Sequence, residues 1–116
     1  MSIAGDLIRG HTDAIILARL LRGDSYGYEI NKTISTLSAG RFELKEATLY
    51  TAFKRLETSG FIASYWGGSD GGARRRYYTI TAAGREACFR LLGEWMETKE
   101  IMDKLLKTEA PSCEIL

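Results

Sequence analysis

Glu46-Ala-Thr-Leu-Tyr-Thr-Ala-Phe-Lys-Arg-Leu-Glu57, followed within twenty residues by Gly67-Gly-Ser-Asp-Gly-Gly-Ala-Arg-Arg-Arg76 and an aromatic segment, decides how this sequence reads. In the first stretch Leu49, Ala52, Phe53 and Leu56 recur at i, i+3, i+4 and i+7, which places them on one apolar stripe of a helix. The opposite face carries Ala47, Thr51, Lys54 and Thr58, flanked by Tyr50 and Arg55. That face is short, polar and mildly basic, as a helix in a DNA major groove requires: hydroxyls and Lys suit phosphates, Arg and Thr suit base edges. Alone, the same pattern also fits an ordinary surface helix. With a basic, glycine-rich hairpin after it, the layout becomes that of a winged helix-turn-helix.

Around this stretch, Gly60 ends the helix and Phe61 to Trp66 reads as a strand. Arg76 to Ile80 reads as its partner, alternating Tyr78 and Ile80 against Tyr77 and Thr79. Gly67, Gly68, Gly71 and Gly72 make a flexible tip beside Arg74, Arg75 and Arg76. A glycine-rich loop can instead cradle nucleotide phosphates, but that use needs a helix opening with Lys-Ser/Thr after the loop. A strand follows here, so the wing reading is preferred.

Upstream, one helix is expected from about Asp6 to Arg22, with an apolar surface broader than a small domain needs. Gly23-Asp24 ends it, and Ser25 or Asp24 can cap a second helix through roughly Thr36. Gly27, between Tyr26 and Tyr28, permits close approach of another helix. Ser38 to Arg41 reads as a loop, and Lys45 stands where Ser, Asp or Asn would cap the third helix better. Downstream, Thr81 caps a last helix from Ala82 to about Lys107, some 26 residues or ~39 Å at 1.5 Å per residue. Cys88, Leu91, Leu92, Trp95, Met102, Leu105 and Leu106 fall on a heptad-like seam broken by Thr98. So long an apolar stripe on a projecting helix calls for a second copy of the chain, and a homodimer is expected. The expected architecture is mainly α with a small β-hairpin: a winged helix-turn-helix over 1–80 whose first helix also enters the dimer interface, a C-terminal dimerisation helix over 81–107, and a disordered tail over 108–116.

The 116 residues suffice for one domain with a modest core. A hydrophobic content of 45 % fits a folded protein, and no run approaches the ~20 apolar residues of a membrane span. The first residues lack the charged-then-apolar design of a signal peptide, so a cytoplasmic location is expected. Cys88 in a helical pattern and Cys113 in a tail make a poor disulfide framework and are expected to be reduced. The net charge of +1 conceals an asymmetry. Through Ile80 there are eleven Lys and Arg against eight Asp and Glu, and from Thr81 onward five against seven. The basic excess lies where the helix and hairpin are, and nucleic-acid affinity must come from that clustering and from doubling by dimerisation.

Several segments together resemble the PadR family of transcriptional regulators: Ser25-Tyr-Gly-Tyr-Glu-Ile30, Arg41-Phe-Glu-Leu44, Ala47-Thr-Leu-Tyr50, Arg55-Leu-Glu57, Gly71-Gly72 with Arg74 to Tyr78, and Thr81-Ala-Ala-Gly-Arg85. The single C-terminal helix with Trp95, together with Ala47 to Thr51, Phe53 to Glu57 and Ser64-Tyr-Trp-Gly67, is similar to the small LmrR-like subfamily of multidrug-binding repressors. The resemblance implies a dimeric repressor on a palindromic double-stranded operator, in some members released by a planar hydrophobic small molecule. By matched position it makes Tyr50, Thr51, Lys54 and Arg55 major-groove contacts and Arg74, Arg75 and Arg76 wing contacts. It makes Trp95 a ligand-stacking indole between protomers, with Leu7, Ala14, Leu92 and Met102 as wall positions. Departures from the family pattern are Thr51 where many members have Pro, Lys45 in place of a cap residue, and Lys99 where LmrR-like members carry an acid.

Rival functions have less support. The single His11, read as a packing residue on the first helix, has no metal-ligand cluster around it, so no enzyme, metal or cofactor is expected. Cys88 on an apolar face reads as a small core residue rather than a redox sensor. A winged helix serving only as a protein-interaction module is the alternative; three consecutive arginines argue against it. For Trp95 itself, plain dimer core competes with ligand contact, and an indole N–H in a dry interface wants a partner.

Overall fold

The computed structural model describes residues 3–68 and 74–107. Five helices and three short strands follow in order: α1 (Ile3–Arg9), α2 (Thr12–Leu21), β1 (Ser25–Tyr26), α3 (Gly27–Leu37), α4 (Glu46–Thr58), β2 (Ile62–Gly67), β3 (Arg75–Ile80) and α5 (Ala82–Lys107). The expected glycine tip at Gly71 and Gly72 and the expected tail over 108–116 lie outside the described residues.

The single first helix expected over Asp6 to Arg22 is in fact two. At the break, the Thr12 hydroxyl donates to the Arg9 carbonyl (2.7 Å) and the His11 N–H to that of Ile8 (2.8 Å). Gly10, a poor helix former, sits at the junction, so a helical run is cheaply interrupted there. His11 is therefore an exposed N-cap position of α2 rather than a partly buried residue within one helix. A second correction concerns Ser25. It caps nothing: Ser25 and Tyr26 form β1, paired with Tyr78 and Tyr77 of β3, and the Ser25 hydroxyl donates to the Glu29 carboxylate (2.5 Å).

β3 lies between β1 and β2 in an antiparallel sheet, with Ile62 opposite Ile80, Ser64 opposite Tyr78 and Trp66 opposite Arg76. Strand alternation sends Tyr78 and Ile80 inward, and both are buried. The Tyr78 ring stacks on Phe53 of α4 with centroids 4.0 Å apart. Leu49, Ala52, Phe53 and Leu56 of α4 join Ile16, Leu17 and Leu20 of α2 and Ile30 and Ile34 of α3 in one core. This is the three-helix arrangement with a wing that the sequence pattern implies.

The ends of α4 are set by different devices. Lys45 provides no side-chain cap, as its chemistry predicts, and the segment before it is held instead by Asn31. The Asn31 amide donates to the Leu44 carbonyl (2.6 Å) and accepts the Leu44 N–H (2.9 Å). At the other end Gly60 takes φ of 81°, the left-handed conformation that glycine adopts without a β-carbon penalty. Thr81 then anchors α5: its hydroxyl accepts the Gly84 N–H (3.0 Å) and donates to the Gly60 carbonyl (2.7 Å). A β-carbon at Gly84 would lie 2.1 Å from the Phe61 carbonyl oxygen, so this first turn packs directly on the chain entering the wing.

Candidate nucleic-acid interface

Burying Leu49, Ala52, Phe53 and Leu56 leaves Ala47, Tyr50, Thr51, Lys54, Arg55 and Thr58 on the exposed face of α4. Tyr50 is steadied by an edge-to-face contact with Phe53 (5.5 Å), and its hydroxyl reaches the start of α3. A β-carbon at Gly27 would lie 2.6 Å from that oxygen, so the close approach expected at Gly27 is made there by a side chain of α4. The helix is thereby seated against α3 with its polar face outward. Thr51 and Lys54 stand free on that face, and Lys54 forms no ion pair among the described residues.

Arg55 is placed differently. Its guanidinium forks onto the Asp13 carboxylate of α2, with Nε 3.4 Å from Oδ2 and Nη2 bonded to Oδ1. The hydrogen bond to Asp13 raises its pKa further above the ordinary value. It thus bridges α4 to the region of Trp95 rather than standing free beside Thr51.

The three wing arginines divide between the two faces of the sheet, because side chains alternate along β3. Arg75 lies over the Tyr26 ring on the outer face, 4.9 Å from its centroid. On the inner face Arg74 lies 5.6 Å from the Trp66 ring, and Arg76 lies 6.0 Å from both Trp66 and Tyr78. Arg76 Nη2 donates to the Ser64 hydroxyl (2.9 Å) and meets Glu57 Oε1 at 3.5 Å. Between α4 and β3 runs a groove of about 540 Å³ lined by Tyr50, Lys54, Glu57, Thr58, Arg76 and Tyr78. Of the helix and wing residues singled out in the sequence, Tyr50, Lys54 and Arg76 line this groove, whereas Thr51, Arg55, Arg74 and Arg75 do not.

The residues matched to ligand contacts come together only in part. Trp95, Ala14 and Leu92 line one strongly apolar groove of about 340 Å³ between α2 and α5, alongside Ile15, Cys88 and Leu91. Leu7 and Met102 are exposed but do not line it. Trp95 packs edge-to-face on His11 (5.3 Å) and also borders a second cleft of about 290 Å³ containing Asp13, Arg55 and Glu94. Cys88 is buried and its thiol pKa is pushed up by that burial, as a core thiol's should be. Among the described residues no three His, Cys, Asp or Glu side chains are grouped to hold a metal, and no helix is long and apolar enough to cross a membrane.

Residues 16–90 match the model of the transcriptional regulator PadR-like family, which covers the whole winged unit from α2 into α5. The chain belongs to the PadR-like family. Its fold is that of a transcriptional regulator from Clostridium thermocellum, with a TM-score of 0.83 and 45 % identity over 91 % of this chain and 100 % of the other. A PadR family transcription regulator from Clostridium difficile aligns with a TM-score of 0.72 and 36 % identity over 83 % of this chain and 98 % of the other. An uncharacterized protein of Lysinibacillus sphaericus is 45 % identical over 90 % of this chain and 96 % of its own length. PadR proteins are DNA-binding transcriptional regulators and not enzymes.

Sequence reasoning did not anticipate three side-chain links: Asn31 to Leu44, Arg55 to Asp13, and Glu57 to Ser64 and Arg76. Glu57 was visible as part of Arg55-Leu-Glu57, but nothing local to α4 shows that its partners lie on both strands of the wing.

Proposed function

We propose that this PadR-family chain acts as a homodimeric repressor that reads a palindromic operator through α4 and the wing. The observation that carries this reading is the groove between α4 and β3, where Tyr50, Lys54 and Thr58 of the exposed helix face lie beside the strand that carries the wing arginines. Thr51 reaches base edges from the adjacent turn, Lys54, Arg74 and Arg75 neutralise phosphates, and Arg55 adds to the groove contacts when it leaves Asp13. In this reading residues 1–80 contact DNA, and 81–107 pair the two copies together with the first helical segment. The open apolar groove between α2 and α5 supports that pairing, since it offers a second copy a surface to cover. A palindromic operator requires the paired copies to set their two α4 helices about one DNA turn apart, ~34 Å.

Gel-shift titration across a salt series tests the DNA surface. Lys54→Ala and Arg75→Ala should each weaken binding to every duplex and reduce the salt slope by about one unit. Wild-type behaviour of Arg75→Ala at all salt concentrations would remove the wing from the interface.

The same reading extends to an effector: paired copies would bring two Trp95 indoles to one gap, able to stack a planar aromatic molecule. Such a ligand weakens DNA binding only if it favours a spacing of the two winged units that misfits the operator. In a Trp66→Phe protein, where Trp95 is the sole indole, planar dyes should quench emission saturably and compete with operator. Trp95→Ala should keep the DNA affinity and lose the competition; an unchanged dye affinity would return Trp95 to plain interface packing.

A further inference from the structure

We propose that Glu57 is a specificity-determining residue that withholds Arg76 from the DNA backbone and fixes the wing to α4; the proposal rests on the DNA-binding reading of this surface. Glu57 divides its carboxylate between two partners. Oε2 accepts the Ser64 hydroxyl of β2 at 2.7 Å, and Oε1 faces Arg76 of β3 at 3.5 Å. The triangle closes because Arg76 Nη2 donates to the same Ser64 oxygen at 2.9 Å. Donors and acceptors agree throughout: the serine hydroxyl gives its proton to the carboxylate and receives one from the guanidinium. One residue from each of α4, β2 and β3 is thereby tied together, and two of the three, Glu57 and Arg76, line the groove that Tyr50 and Lys54 border.

Two consequences follow for DNA. Arg76 is held by its bonds to Ser64 and Glu57 and lies 6.0 Å from the Trp66 and Tyr78 ring centroids, so swinging out to a phosphate would give up both bonds and leave the Glu57 carboxylate to Ser64 alone. A Glu57–Arg76 pair also carries no net charge, and counterion release counts only cations that neutralise phosphate. Of the three consecutive arginines, Arg76 therefore adds nothing to sequence-independent affinity, while Glu57 subtracts from it by facing the polyanion. What the pair supplies is a fixed angle between the helix that reads bases and the wing that holds the backbone. Specificity is the ratio of operator to random binding, and it rises when the second term is kept small.

The experiment compares full-length wild type, Glu57→Gln, Arg76→Met, Lys54→Ala and Arg75→Ala on two duplexes across a salt series. One duplex is random; the other is selected by the wild type from a random pool. Glu57→Gln should bind the random duplex more tightly, with a salt slope steeper by about one unit, and discriminate less between the two. Arg76→Met should keep the wild-type slope on both duplexes and lose operator preference, whereas Arg75→Ala and Lys54→Ala lose about one unit each. An Arg76→Met slope reduced like that of Arg75→Ala makes Arg76 a phosphate contact and overturns the proposal, as does an unchanged slope in Glu57→Gln. Should Glu57→Gln fail to fold, the Arg76→Met slope decides alone. Slopes unmoved in both Lys54→Ala and Arg75→Ala would instead reject the underlying surface.

Discussion

The helix α4 and the far half of α5 carry the same apolar periodicity and meet opposite fates. In α4 the stripe of Leu49, Ala52, Phe53 and Leu56 is at most 2 % exposed. In α5 the stripe of Leu92, Trp95, Met102 and Leu105 is between 44 and 61 % exposed, although the first turns of the same helix bury Ala87 and Cys88. The difference is supply of neighbours: α4 lies between α2 and the wing, whereas α5 runs past the domain to Lys107. A periodic stripe encodes a face that must be covered, and says nothing of whether the cover belongs to the same chain.

The strongest way to break this contrast is to empty the covered side. Phe53→Ala removes a ring stacked on Tyr78 at the centre of the core and should lower the unfolding free energy by about 3–5 kcal/mol in urea titration. A loss below about 1 kcal/mol would mean that the winged half is no better packed than the exposed stripe of α5.

The uncovered side is sharpened by placing a charge on it. If a second copy covers α5 as proposed, Leu105→Asp replaces burial worth roughly 1.5–3 kcal/mol per side chain with an unpaired carboxylate. Sedimentation at micromolar concentration should then show monomers where the wild type shows dimers, with helical circular dichroism retained. A variant that stays wholly dimeric would show that this stretch of α5 is not what holds the copies together.

The same contrast marks how much the sequence could reveal. The bounds of α4 and α5, the two strands of the wing and the alternation of Tyr78 and Ile80 against Tyr77 and Thr79 were legible because each rests on local periodicity punctuated by Gly60 and Thr81. β1 was not legible, since two residues make a strand only by pairing with Tyr77 and Tyr78, distant in sequence. The break at Gly10 and His11 was hidden by apolar spacing that continues across it. In the candidate site the exposure of Tyr50, Thr51, Lys54 and Arg55 on α4 was readable from the helical period, but their charge pairing was not. Arg55 and Arg76 look alike in sequence to Lys54 and Arg75; only the fold brings Asp13 and Glu57 to the first two.

The smallest expected effect lies on the outer face of the wing, where neither half of the molecule supplies cover. The Tyr65 hydroxyl donates to Asp24 Oδ2 at 2.6 Å, tying the turn before β1 to β2 across the sheet. That bond, with a second from Thr79, holds the Asp24 carboxyl below its ordinary pKa, and the same bond pushes the Tyr65 phenol up. For Asp24 the sign is that of a depressed acid: the stabilisation is present above the unfolded value of about 3.9 and fades as pH falls through the lower folded value. For Tyr65 it is the reverse, present below the ordinary phenol value of about 10 and lost as pH rises through the folded one. Tyr65→Phe should therefore melt slightly below the wild type at neutral pH, and the gap should narrow at both extremes. Thermal midpoints across the pH range read this directly. A gap that stays constant into acid would show that the bond does not distinguish carboxylate from carboxylic acid; the stacking of the Tyr65 ring on Tyr77, 5.6 Å between centroids, is retained in Tyr65→Phe and does not enter this gap.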